Sequence, residues 1–169
     1  MSDVEALSAR AAEILDRLVA FDTTSRRSNL DLIAFAEDQL KACGASLSRV
    51  ASADGAKANL IARIGPDQTG GVLLSGHTDV VPVDGQAWTS DPFTVTRRNG
   101  RLYGRGTADM KAFLALALAA APDFAAARPA APVQFAFTYD EEVGCLGAPG
   151  LIAELARAVA DEILSADIV

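Results

Sequence analysis

Helical and strand-like segments alternate along this chain, and that alternation admits few folds other than a layered α/β domain. Val4, Leu7, Ala11, Ile14, Leu15 and Leu18 recur at helical spacing, with Ser2 or Asp3 available as the N-cap. A second helix is predicted from Asn29 to Cys43, ending at Gly44, a residue that tolerates the left-handed cap. Ser46–Ala51 and Asn59–Ile64 read as strands, separated by a polar turn at Asp54-Gly55. Val72-Leu73-Leu74, a short apolar run after Gly70-Gly71, reads as a buried strand. Asn99-Gly100, between Phe93–Thr96 and Arg101–Tyr103, is a strong hairpin signal. An Ala/Leu-rich helix follows from Lys111 to about Ala121, with an Ala/Pro surface connection at 125–132. Pro132 opens a strand in which Val133, Phe135 and Phe137 alternate with Gln134, Ala136 and Thr138, and a last helix covers Ala148 to Leu164. Asp167-Ile168-Val169 could begin one more strand. The expected fold is a central mixed β-sheet flanked by helices.

Composition narrows the partners. The formal charge of -7 repels phosphate backbones and anionic lipid, which argues against nucleic acid and membrane surfaces. The longest apolar run, Ala112 to Ala121, is too short to span a bilayer, and the start carries no secretory signal pattern. Cys43 and Cys145 are too few and too far apart for a disulfide scaffold, which suggests a reducing compartment, by default the cytoplasm.

Three polar clusters carry the chemistry. His77, the only histidine, ends a strand two residues before Asp79, whose carboxylate can accept the second ring N–H and fix a ligating imidazole. On position alone, a capping or core histidine bonded to Asp79 fits as well. Asp109 begins a helix, where the helix dipole alone would favour an acid. Asp140-Glu141-Glu142 closes the alternating strand as a solvated loop, or as a buried trio that needs a cation or a proton. Taken together they supply one imidazole, a lone Asp and a pair of Glu residues. That set can ligate two metals, bridge them and leave one carboxylate as base. A Gly-x-Ser-x-Gly elbow and a His-Glu-x-x-His motif are both missing, and Gly104-Arg105-Gly106 lacks the third glycine of a dinucleotide loop.

The segments Ser75-Gly76-His77-Thr78-Asp79-Val80-Val81-Pro82, Gly104–Lys111 and Asp140-Glu141-Glu142-Val143-Gly144 together resemble the M20 metallopeptidase family. Phe21–Ser25, Lys57-Ala58-Asn59-Leu60, Val83–Gln86 with Trp88, and Glu142–Gly147 are similar to the branch that deacetylates N-acetylornithine. The resemblance implies a zinc-exopeptidase-like fold and a site of two Zn2+ ions, with Co2+ as a substitute. His77 would ligate one metal with Asp79 orienting its ring. Asp109 would bridge both metals, its peptide to Met110 being cis, and Glu142 would ligate the second. Glu141 would be the general base. The implied reaction is hydrolysis of N-acetylornithine, a small N-acyl amino acid, to ornithine and acetate in arginine biosynthesis. Succinyl-diaminopimelate desuccinylases and carboxypeptidase-type hydrolases share the three motifs. A non-catalytic chain that binds metal or a partner subunit through an open sheet edge is a further reading.

Residues 1–169 are expected to form a partial catalytic domain. The family's lid domain, which usually mediates homodimerisation, its further carboxylate and its last histidine are not among them. Ala108 and Ala112 stand where this branch often has Cys and Gly. With two protein ligands per metal, where catalytic zinc normally has three, weak zinc binding and little turnover are expected.

Overall fold

The computed structural model describes the backbone of residues 3–166 and the side chains of residues 3–157. Its elements are α1 (Asp3–Ala20), α2 (Leu30–Ala42), β1 (Ser46–Ala51), β2 (Ala58–Ile64), β3 (Val72–His77), β4 (Thr96–Arg98), β5 (Arg101–Tyr103), α3 (Lys111–Ala127), β6 (Val133–Thr138) and α4 (Ala148–Ala166). Ser2 and the strand considered at 167–169 lie outside the described residues. No helix among those residues is long and apolar enough to cross a membrane.

The main sheet has the order β1-β2-β6-β3. β2 runs antiparallel to β1 and β6, whereas β3 runs parallel to β6. This is the expected mixed sheet flanked by helices. A parallel pair needs a crossover, and α3 supplies it between β3 and β6. The register pairs His77 with Thr138, so both strands end at one rim of the sheet. This register positions the site: whatever follows His77 and Thr138 emerges side by side.

Leu60, Ala62, Ile64, Phe135 and Phe137 project into one core with Leu15, Leu18, Leu32, Ile33, Leu114 and Leu118 of α1, α2 and α3. Their sheet neighbours Ile61 and Ala136 face the other way and pack on Leu151 of α4. Helices therefore cover both faces, which changes the expected pattern of β6. Phe135, Ala136 and Phe137 are buried in succession instead of alternating between core and solvent.

Two further expectations are corrected. Val72 and Leu73 are 58% and 44% exposed, so β3 is buried only towards its end. It is the edge strand, bonded to β6 alone among the described residues. Helix α3 runs past Ala121 through Pro122 to Ala127. Proline gives up an N–H and crowds the preceding turn, but the helix is held by packing on both sides of it. Leu118 and Ala121 are buried before it, and the Phe124 ring lies 6.5 Å from that of Phe135 after it. The hairpin turn forms at Asn99 and Gly100, at φ 52 and 70, the positive values that a two-residue turn requires, but its first strand is Thr96–Arg98 where the sequence predicts Phe93–Thr96.

Candidate metal centre

Loops at the rim are pinned before any ligand is considered. Thr78 donates through its amide and its hydroxyl to the Thr138 carbonyl, both at 2.8 Å. Asn29 donates to the Thr78 hydroxyl at 2.9 Å and to the Ala58 carbonyl at 2.8 Å. Thr23 Oγ1 donates to the Thr78 carbonyl at 2.6 Å. Each of these polar side chains is buried and partnered, as burial requires.

His77 is buried at the centre of this rim. Its Nδ1 lies 3.0 Å from the carbonyl of Asp79 and 3.5 Å from that residue's carboxylate. The ring is thus held through Asp79 main chain as well as side chain, where the spacing alone suggested only the carboxylate. Nε2 faces the acids, 3.1 Å from Asp109 and 3.8 Å from Glu141. The Asp79 carboxylate is the main reason the imidazole pKa is raised to about 9. Burial opposes that rise, and Asp109 adds to it.

Asp79 is itself 2% exposed. It accepts the Ser25 hydroxyl at 2.7 Å and the amides of Glu141 and Glu142 at 3.0 and 3.2 Å. Burial alone would raise its pKa, but the ring, the hydroxyl and the amides together hold it below the ordinary carboxylate value. Asp79 therefore both orients the imidazole and fixes the start of the acidic loop.

His77, Glu141 and Glu142 each offer a ligand atom, all within 4.8 Å of one another. Burial, together with the charges of Asp109, Asp79 and Glu141, raises the Glu142 pKa, while His77 opposes the shift. Asp109 stands on the solvent side, its side chain 75% exposed, and touches the ring from there. Its peptide bond to Met110 is cis. The rim thus brings together all five residues that the sequence singled out. It groups Glu141 with His77 and Glu142, while Asp109 approaches Nε2 separately.

The helix that follows Asp109 is anchored by a residue that sequence reasoning left without a role. Lys111 is fully buried and donates to the carbonyls of Leu18 and Phe21, both at 2.8 Å. A cation at the end of α1 suits the helix dipole there. Burial lowers its pKa to about 7, against the charges of Asp22 and Asp79. Trp88 is likewise held, its ring under the Arg105 guanidinium at 5.3 Å and its N–H donated to Gln86.

The sequence of residues 73–168 matches Peptidase family M20/M25/M40, a span that contains all five rim residues. The chain belongs to this family. An acetylornithine deacetylase of Myxococcus xanthus is 45% identical to this M20 chain over 150 residues, covering 85% of the chain and 38% of that protein. Human carnosine dipeptidase 1 superposes with a TM-score of 0.74 at 25% identity, covering 89% of the M20 chain and 36% of the other. An M20 family metallo-carboxypeptidase from Sulfolobus solfataricus gives 0.75 at 20% identity, with 94% and 36% covered. The M20 chain thus spans under two-fifths of the length of these relatives, and the last of them speaks for the fold alone.

Proposed function

We propose that this chain carries the metal-binding part of an amide hydrolase that cleaves an N-acyl amino acid, N-acetylornithine first among them, to ornithine and acetate. The observation that carries the reading is the approach of Asp109 and Glu141 to Nε2 of His77, at 3.1 and 3.8 Å, beside Glu142. One imidazole and three carboxylates are a donor set suited to zinc, with cobalt as a substitute. The crowding of negative charge that raises the Glu142 pKa is what a divalent cation would relieve. His77, Asp109 and Glu142 would hold the ions, Asp109 shared between them. When bound, such ions lower the pKa of water and polarise an amide carbonyl.

The chain's own groups do the rest. Asp79 keeps Nδ1 engaged, so Nε2 is the nitrogen available to a ligand. Glu141 is half-exposed at the rim, placed to take a proton from the attacking water at a carboxylate oxygen. The same carboxyl group then protonates the nitrogen of the breaking C–N bond, leaving acetate and a free amine. The 45% identity to an acetylornithine deacetylase favours the acetyl substrate over succinyl or peptide ones.

The test is acetate release from N-acetylornithine at saturating zinc or cobalt, beside N-succinyl-diaminopimelate and C-terminal peptide substrates. With two protein ligands per metal among these residues, acetate release only slightly above that of metal in buffer is expected. Turnover of the succinyl or peptide substrates alone would transfer the chain to those activities. Stoichiometric metal binding with no turnover of any of them would support a non-catalytic role.

Metal affinity carries its own expectation. With a pKa of about 9 the imidazole is protonated at neutral pH, and a proton must leave before Nε2 can ligate. Zinc affinity should therefore rise with pH, by roughly tenfold per unit between pH 6 and 8 from this group alone. Calorimetric titration in buffers of different ionisation heat should count about one proton released per His77 engaged. A flat profile across that range would remove His77 from the ligand set.

A further inference from the structure

Three segments meet behind the rim at one ammonium group. Lys57 Nζ pairs with the carboxylate of Asp140 and donates to the carbonyl of Ser25. Both side chains of the ion pair are withdrawn from solvent, at 15% and 10% exposure. Lys57 is itself held at the main chain. Its amide donates to Ser52 Oγ at 2.9 Å, and its carbonyl accepts from the Ser52 amide at 2.8 Å. Ser25, on the second segment, gives its hydroxyl to Asp79. Asp140, on the third, immediately precedes Glu141 and Glu142, whose amides also end on Asp79. Asp140 adopts φ 57, a left-handed conformation that Asp reaches more readily than most non-glycine residues and that turns the chain out of β6.

We infer that Lys57 is a positioning residue for the acidic loop. Through Asp140 it sets the direction in which Glu141 and Glu142 leave β6, and through Ser25 it holds the Asp79 carboxylate beneath His77. It lies in none of the three polar clusters that supply the proposed ligands, and it pairs with Asp140, so that the remaining acids alone would face a bound cation. A buried pair of this kind is poor ground for a stability claim but a good means of fixing one geometry. The inference rests on the proposed metal-dependent reading for its functional consequence, yet its structural core can be tested apart from that reading.

The experiment compares Lys57→Met, Lys57→Arg and Asp140→Asn in the full chain, each checked for folding by circular dichroism. Two readouts are taken from the folded variants. Amide hydrogen exchange should accelerate about tenfold or more at Glu141 and Glu142 in Lys57→Met, with β2 and the Leu60–Phe137 pair unchanged. Zinc affinity should fall about 10–100-fold, the usual consequence of losing an outer-shell partner, and Lys57→Arg should restore most of it. If Lys57 only stabilises the fold, exchange will speed up evenly over the sheet while zinc affinity per folded molecule stays put, which overturns the inference. Should the parent chain bind no zinc, the functional reading fails, and the local exchange pattern alone decides whether Lys57 positions the loop. If Lys57→Met does not fold, Lys57→Arg and Asp140→Asn carry the same two readouts.

Discussion

Replacing Glu141 with Gln is expected to reduce acetate release by a factor of about 10²–10⁴, the range lost when a positioned general base is removed. The substitution keeps the volume of the side chain and the amide that donates to Asp79 at 3.0 Å. It removes the carboxylate's negative charge and its ability to accept a proton, and keeps one carbonyl oxygen. Zinc affinity should therefore fall far less than the rate. A proportional fall in both would mean that Glu141 is a ligand, as its grouping with His77 and Glu142 also allows, and the base would have to be sought elsewhere. The two outcomes separate cleanly in one calorimetric and one kinetic series.

The second large effect is expected at Asp79. Asp79→Ala removes an acceptor shared by the Ser25 hydroxyl and the Glu141 and Glu142 amides, and takes the carboxylate from beside the His77 ring. These donors would remain in a site that is 2% exposed. Breaking a buried charged network by deleting one partner costs about 3–5 kcal/mol, a large part of the 5–15 kcal/mol that a domain typically has. Denaturant melts of the metal-free protein should show this loss. Asp79→Asn, which keeps the shape and one acceptor oxygen, should lose less. The Asp79 carboxylate is also the main cause of the raised His77 pKa. In Asp79→Ala the ring should therefore titrate nearer its ordinary value, and the rise of zinc affinity with pH should level off earlier. A variant as stable as the parent would show that the amides find water instead.

Much of this was legible from local chemistry. Asn99-Gly100 announces its turn because both positions need positive φ, and few other pairs tolerate that. Gly44 at φ 75 ends the second helix region for the same reason. The candidate ligands were legible because a histidine and acids at strand ends have few structural uses in common. What was hidden depended on tertiary neighbours. Nothing in Val72-Leu73-Leu74 says that its strand lies at the edge of the sheet. The continuation of α3 beyond Pro122 follows from Phe124 resting on Phe135, a contact between residues of different elements. Ser25, Lys57 and Lys111 lie in segments that carry the resemblance, but their roles, like that of Asn29, follow only from the carbonyls and carboxylates that converge on them.

The position of β3 has a consequence for how the protein behaves in a crowded solution. Among the described residues the strand that ends in His77 lends its backbone to a single neighbour, and its first apolar residues face solvent. Any extended segment that annealed alongside would stiffen the same ribbon that steadies the imidazole. Ion capture and strand addition would then be thermodynamically linked, each altering the other's equilibrium by an identical factor. Chelators and divalent salts would in that case shift the protein's tendency to self-associate, in proportion to how far stacking at that flank shifts its hold on the ion.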